Sequence, residues 1–281
     1  MSAIGLLPHR AKPEAMAATA ALAGKLAGAG VAVRLDAGTA AAIGRPELGY
    51  DGDFADGLDL AIALGGDGAL LHAARCVYPR QIPVFGINFG HLGFLAEVEA
   101  ARLDEAVSRI LSGDYRCEDR LMVEALPDKP GAGAVVGLND AVITRIGQGL
   151  VTLEVVLNGV ALVEYRADAL IVATPTGSTA YSLSAGGPIL HPGVPALVIT
   201  PVCAHSLHAR PLVVSADDSI AVRVVHARDE VSLVADSRDG GRLRPGDTVR
   251  FGRAAAVTRL VRLRGLGFYD ILRQRFQEGK M

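Results

Sequence analysis

The sequence lacks tryptophan, a clear charge excess of either sign and any long apolar run. A formal net charge of −2 over 281 residues gives no field that would favour nucleic acid or an anionic membrane. Lysine is scarce, and the commoner arginines are scattered rather than clustered. The apolar stretch 193–204 contains two prolines and is too short to span a bilayer. Residues 1–10 have no long apolar segment, so they are expected to open a first strand rather than a signal peptide. Cys76, Cys117 and Cys203 are far apart and odd in number. That speaks against a disulfide or zinc site and for buried thiols in a reduced, cytoplasmic protein. Other familiar signatures are missing too. Neither Gly24-Lys25 nor Gly279-Lys280 has Walker A spacing, and no Gly-x-Ser-x-Gly elbow occurs. The glycines at 131–137 miss the dinucleotide fingerprint by one residue and read as a hairpin loop. His205 and His208 are spaced for one helix face, with no third metal ligand in evidence.

What remains is half apolar, enough for two domains. Strands are expected at 3–7, 31–35, 59–64 and 82–87, alternating with helices at 14–27, 69–77 and 103–111. This alternation implies a parallel sheet covered on both faces, with ligands beyond the carboxyl ends of the strands. After Tyr115 the pattern turns to strands: 121–126, 135–144, 150–157, 169–173, 219–225, 230–234 and 248–251. The expected division is an α/β domain over 1–115 and a β-rich domain over 116–250. A segment at 251–281 ends in a helix that packs back on the first domain.

Two glycine-rich segments stand out. Gly65-Gly66-Asp67-Gly68 closes an apolar strand, and its one carboxylate suits a hydroxyl or a magnesium ion better than a phosphate. A helix starting after it would aim free amides at an anion, although a plain turn with an aspartate cap fits the same four residues. The segment 174–188 has three Thr, three Ser and three Gly directly after a buried strand. So many hydroxyls against a core need partners, which a ligand would supply. Around these lie Asn88-Phe89-Gly90-His91-Leu92-Gly93-Phe94-Leu95, in which Phe94 could line a flat ring, and Asn139-Asp140, suited to an adenine edge and a ribose hydroxyl. Arg166 and Asp168 share a strand face, as an ion pair or as part of a site.

In this order the segments resemble the NAD kinase family, from Gly65 to Phe276. His208-Ala209-Arg210-Pro211-Leu212-Val213 and Phe268-Tyr269-Asp270-Ile271-Leu272-Arg273 add to the likeness. The resemblance implies transfer of the ATP γ-phosphate to the 2′-hydroxyl of the NAD adenosine ribose, with Mg²⁺ or another divalent cation, giving NADP. ATP or polyphosphate would be the donor. It implies a β-sandwich second domain and a homodimer or homotetramer. Asp67 would accept the hydroxyl proton, with Gly68 beside it and His72 as a basic residue near the phosphates. Asn139 and Asp140 would hold the adenosine, and Arg166 and Asp168 would meet the sugars and amide. Thr179, Ala180, Tyr181, Ser182, Leu183 and Ser184 would line the dinucleotide, with Phe94 and Thr176 near the adenine. Ala69, Asp140, Ala169 and Arg238 depart from the commoner family residues, and Arg238 is either a phosphate contact or a solvated arginine. A silent NAD(H)-binding sensor, or a lipid or sugar kinase with the same Gly-Gly-Asp-Gly loop, is the competing reading.

Overall fold

Alternation of large and small side chains decides how the first sheet is covered. In the strand Leu60–Gly65, Leu60, Ile62 and Leu64 share a core with helix residues Leu22, Leu26, Val107 and Ile110. Ala61, Ala63 and Gly65 point the other way, where their small size lets a further helix lie close. The computed structural model describes residues 1–90, 93–206, 209–263 and 267–278. His91, Leu92, His208, Gly279 and Lys280, singled out from the sequence, lie outside them.

The chain forms two units, one of residues 1–119 with 256–281 and one of residues 120–255. The first runs β1 (Ala3–Pro8), α1 (Pro13–Gly28), β2 (Ala32–Asp36), α2 (Ala37–Ala42), β3 (Gly49–Tyr50), β4 (Leu60–Gly65) and α3 (Asp67–Val77). It continues through β5 (Val84–Asn88), β6 (Val98–Glu99), α4 (Leu103–Leu111) and β7 (Arg116–Arg120). Proline at its first turn starts α1, and the Asp36 carboxylate, accepting from the Thr39 N–H at 3.0 Å, caps α2. Strand order is β3-β2-β1-β4-β5, then the strand Thr258–Arg262, then β7, and β6 pairs with β5. β1 pairs in parallel with both β2 and β4, so the order reverses there, and the crevice at their carboxyl ends is where such sheets take ligands. The returning strand lies parallel to β5, and the C-terminal helix Phe268–Glu278 belongs to this unit.

The second unit holds β8 (Val123–Pro127), β9 (Val135–Gly137), β10 (Asp140–Arg145), β11 (Val151–Leu157), β12 (Val160–Ala167) and β13 (Ala169–Ala173). A one-turn helix α5 (Tyr181–Ser184) precedes β14 (Ala196–Val202), β15 (Leu212–Ser215), β16 (Ile220–His226), β17 (Val231–Ala235), β18 (Arg238–Leu243) and β19 (Thr248–Arg253). Two six-stranded sheets result, β15-β14-β13-β10-β17-β18 and β12-β11-β16-β19-β8-β9. Inward residues of both, among them Val123, Ile143, Leu153, Val172, Val222 and Leu233, form one core, which makes the unit a β-sandwich.

The single strand expected over 135–144 is two strands in different sheets, β9 and β10. The chain crosses between sheets at Leu138-Asn139, where its amides are taken by a carboxylate instead of a neighbouring strand. The segment 174–188 is not an open loop either: it contains a 3₁₀ turn at Gly177–Thr179 and then α5.

Candidate functional site

At the carboxyl edge of the first sheet, α3 begins at Asp67, two residues earlier than the sequence pattern places it. Asp67 does not cap its own helix. Its carboxylate accepts the backbone N–H groups of Phe94 at 2.9 Å and of Leu95 and Ala96 at 3.1 Å each. Three amides converging on one carboxylate fix its direction. Gly93 is what allows the approach, because a Cβ there would overlap the carboxylate. The cradle is itself braced by the returning strand, whose buried Arg262 donates from Nη1 to the Leu95 carbonyl at 2.9 Å and from Nε to Glu118 at 3.1 Å. Burial pushes the neighbouring Glu97 carboxyl up, against the pull of Arg262.

Beside this edge is a cavity of about 770 Å³, lined among others by Pro8, Arg10, Asp36, Gly68, Ala69 and His72. It occupies the β1/β4 reversal point. The Arg10 guanidinium is held by the Asp36 carboxylate and by Thr39, so one carboxylate both caps α2 and aims an arginine. Burial first, then Arg75, lower the pKa of His72, which favours its neutral form. Arg75 donates to its Nδ1 at 2.8 Å, which leaves the proton of the neutral ring on Nε2. Ala69 is buried with its Cβ against the bare Gly65, which accounts for a small residue at that position. Phe94 has an aromatic neighbour, Phe268, at 6.3 Å between ring centroids, with Arg275 at 5.9 Å.

In the second unit, Asn139 and Asp140 stand at the sheet-to-sheet crossing. The Asp236 carboxylate accepts the N–H groups of Leu138 at 2.6 Å, Asn139 at 2.9 Å and Asp140 at 3.2 Å. From the other side Thr174 donates its N–H to the Asn139 carbonyl at 2.8 Å and its hydroxyl to the Leu138 carbonyl at 2.6 Å. Gly177 packs against the Asn139 backbone so closely that no side chain fits. Asp140 is 8% exposed, and burial, with the Asp236 charge second, pushes its pKa up to about 7. Near neutrality this carboxyl is part acid and part carboxylate, able to donate or accept, unlike the fixed negative charge its residue type implies.

Most hydroxyls of 174–188 find partners inside the protein, not in a ligand. Thr174 is spoken for, Ser178 donates to the Pro175 carbonyl at 2.6 Å, and Ser182 pairs with Thr200 at 2.8 Å. Thr179 donates to the Thr176 carbonyl at 3.2 Å, and the Thr176 hydroxyl accepts from buried Arg120 at 3.3 Å. What α5 leaves outward are Tyr181 and Ser184, both exposed, with Ala180 and Leu183 half-buried beside them. Arg166 and Asp168 do not pair with each other. Asp168 is bridged by Arg145 Nε at 2.5 Å, and Arg166 is exposed. Ala169 lies in the extended β13, in keeping with a side chain at that position. Arg238 opens β18 in an exposed position. Sequence reasoning missed Arg10, Asp36, Arg120, Arg145 and Asp236, which act across long sequence separations. Of the three free thiols Cys203 is exposed, while burial pushes the Cys76 and Cys117 thiols up. Among the described residues no helix is long and apolar enough to cross a membrane.

Residues 22–115 match the model of the ATP-NAD kinase N-terminal domain and residues 138–263 that of the ATP-NAD kinase C-terminal domain. An NAD kinase of Symbiobacterium thermophilum is 44% identical over 279 residues, 98% of this chain and 99% of its own. One of Moorella thermoacetica is 41% identical, covering 99% of this chain and 90% of its own. Among solved structures, a yeast NADH kinase complexed with NADH is similar with a TM-score of 0.88 at 27% identity, over 99% of this chain and 87% of that one. An NAD kinase from Archaeoglobus fulgidus in complex with ATP shares the fold, with a TM-score of 0.77 at 21% identity and 99% coverage of both chains. Both family models fall in order on the two units that carry Asp67 and Asn139-Asp140, and the chain belongs to the NAD kinase family.

Proposed function

We propose that this enzyme transfers the γ-phosphoryl group of ATP to the 2′-hydroxyl of the adenosine ribose of NAD, giving NADP and ADP. The observation that carries this is the Asp67 cradle: an oriented carboxylate at the sheet's carboxyl edge, beside a nucleotide-sized cavity, in a chain of this family.

The O2′ oxygen forms its bond to the γ-phosphorus as the bond to the β-phosphate bridge breaks. The hydroxyl proton passes to Asp67 late in the step. Such a transition state is loose, so alignment and charge neutralisation dominate, and a positioned base contributes roughly 10²–10⁴-fold. Three amide donors hold the Asp67 carboxylate in a fixed direction, which suits a positioned base. Asn139 and Asp140 meet the adenosine, and Tyr181, Ser184, Asp168 and Arg166 receive the rest of the dinucleotide. Arg10 and the first amides of α3 receive the donor's phosphates at the β1/β4 crevice. Among the described residues no three His, Cys, Asp or Glu side chains converge. A magnesium ion would come with the triphosphate and neutralise phosphate charge. Cytoplasmic location and a homodimer or homotetramer are proposed on the family likeness and the free thiols.

The test is NADP formation by purified protein from NAD, ATP and Mg²⁺, read through an NADP-specific dehydrogenase. Product that needs all three components supports the proposal. NAD binding without product from ATP or polyphosphate would turn the assignment to a silent NAD sensor.

A further inference from the structure

Asp236 lies far in sequence from Asn139 and Asp140, yet its carboxylate takes three consecutive N–H groups around them, at 2.6, 2.9 and 3.2 Å. Its own N–H donates to the Asp140 carbonyl at 3.1 Å. The residue is held for this in a left-handed turn, with φ of 44° at Asp236 and 63° at Ser237, between β17 and β18. On the opposite side the Asn139 carbonyl is taken by the Thr174 N–H. Both backbone groups of Asn139 are thus used, and its half-buried side-chain amide is what remains for a ligand. A simple β-turn between β17 and β18 would not need a carboxylate reaching into another strand's crossing point.

We propose that Asp236 is a positioning residue for dinucleotide recognition: its carboxylate sets the Leu138–Asp140 crossing so that Asn139 and Asp140 present their side chains to the adenosine of NAD. This rests on the assignment of Asn139 and Asp140 to NAD made above. The Asp236 carboxylate accepts the backbone amides of Leu138, Asn139 and Asp140, so its removal is expected to act through the crossing on binding of NAD and not on the phosphoryl donor. The nearby negative charge also helps keep Asp140 protonated, so that its carboxyl can donate.

The experiment compares the wild type with Asp236→Ala, Asp236→Asn and Asn139→Ala, in steady-state kinetics with each substrate varied and in calorimetric titration with NAD. Loss of one charge-assisted hydrogen bond corresponds to about tenfold or more in affinity. Asp236→Ala is therefore expected to raise KM and Kd for NAD at least about tenfold. KM for ATP should stay within about twofold and kcat at saturating NAD within about threefold, both inside the effect of half a hydrogen bond. Asp236→Asn keeps the Oδ1 acceptor for Asn139 and Asp140 and loses the one for Leu138, so it should fall between. If Asn139→Ala leaves NAD affinity unchanged, the adenosine assignment itself fails. If Asn139→Ala weakens NAD and the Asp236 variants do not, or if they raise both KM values alike, Asp236 is merely structural and the proposal falls. Should Asp236→Ala not fold, Asp236→Asn alone decides by the same split.

Discussion

Replacing Asp140 with asparagine tests the electrostatics of the crossing without any substrate. The carboxyl is buried, and its pKa is raised from 3.8 to about 7, by burial first and by Asp236 second. In the unfolded chain it would ionise near its ordinary value, so between those limits the folded state holds a proton that the unfolded state has released. Stability must then fall as pH rises from about 4 to about 7 and stay level above. The full effect is about 4 kcal/mol, since each tenfold in proton affinity is about 1.4 kcal/mol. Asparagine mimics the protonated acid and has no such dependence. The stability gap between Asp140→Asn and the wild type should therefore widen by about 2 kcal/mol from pH 5.5 to pH 8.5, with the variant the more stable. Urea unfolding of both proteins across that range measures it. A gap that does not change with pH would refute the account and mean that Asp140 is ionised throughout, stabilised by contacts other than those described.

Asp67→Asn should lower kcat by about 10²–10⁴-fold. It should also cost about 1–3 kcal/mol in thermal stability, because its amide nitrogen would face a backbone N–H in the cradle. Gly93→Ala should reduce turnover at least tenfold while leaving the Kd for NAD within twofold, on the order of a displaced catalytic group, in steady-state kinetics and titration. Arg10→Ala should raise KM for ATP by about tenfold, as loss of a charged hydrogen bond would, with KM for NAD unaltered; equal changes in both would place the donor elsewhere.

The first unit was legible because its elements announce themselves locally. Pro13 opens α1, Gly30 follows its end, and the Leu/Ala alternation of β4 runs into the glycine turn. The segment 174–188 stands out in the sequence for its hydroxyls, and the structure gives most of them partners within the protein. Short-range turns and a reach to Thr200 satisfy them, and such pairings depend on a fold that composition does not contain. The same holds for the crossing at Leu138-Asn139. Seven apolar or small residues surrounding it look like one continuous strand, and only the distant Asp236 explains why the chain changes sheets. The bland aspartate-cap reading of Asp67 was half right: the carboxylate does cap backbone amides, but those of the 93–96 loop.

The strand Thr258–Arg262 inserts between β5 and β7, although everything from 120 to 255 separates it from them in sequence. During synthesis the sandwich, contiguous in the chain, can close as soon as it leaves the ribosome, whereas the N-terminal sheet must wait with a gap beside β5. Arg262 arrives with that late strand, and it is the group that braces Leu95 and through it the Asp67 carboxylate. A nascent chain halted before Thr258 would therefore carry the Leu138-Asn139 crossing but an Asp67 carboxylate without its brace. The brace of the Asp67 cradle thus comes from a strand made only after the whole sandwich, an ordering written into the topology itself.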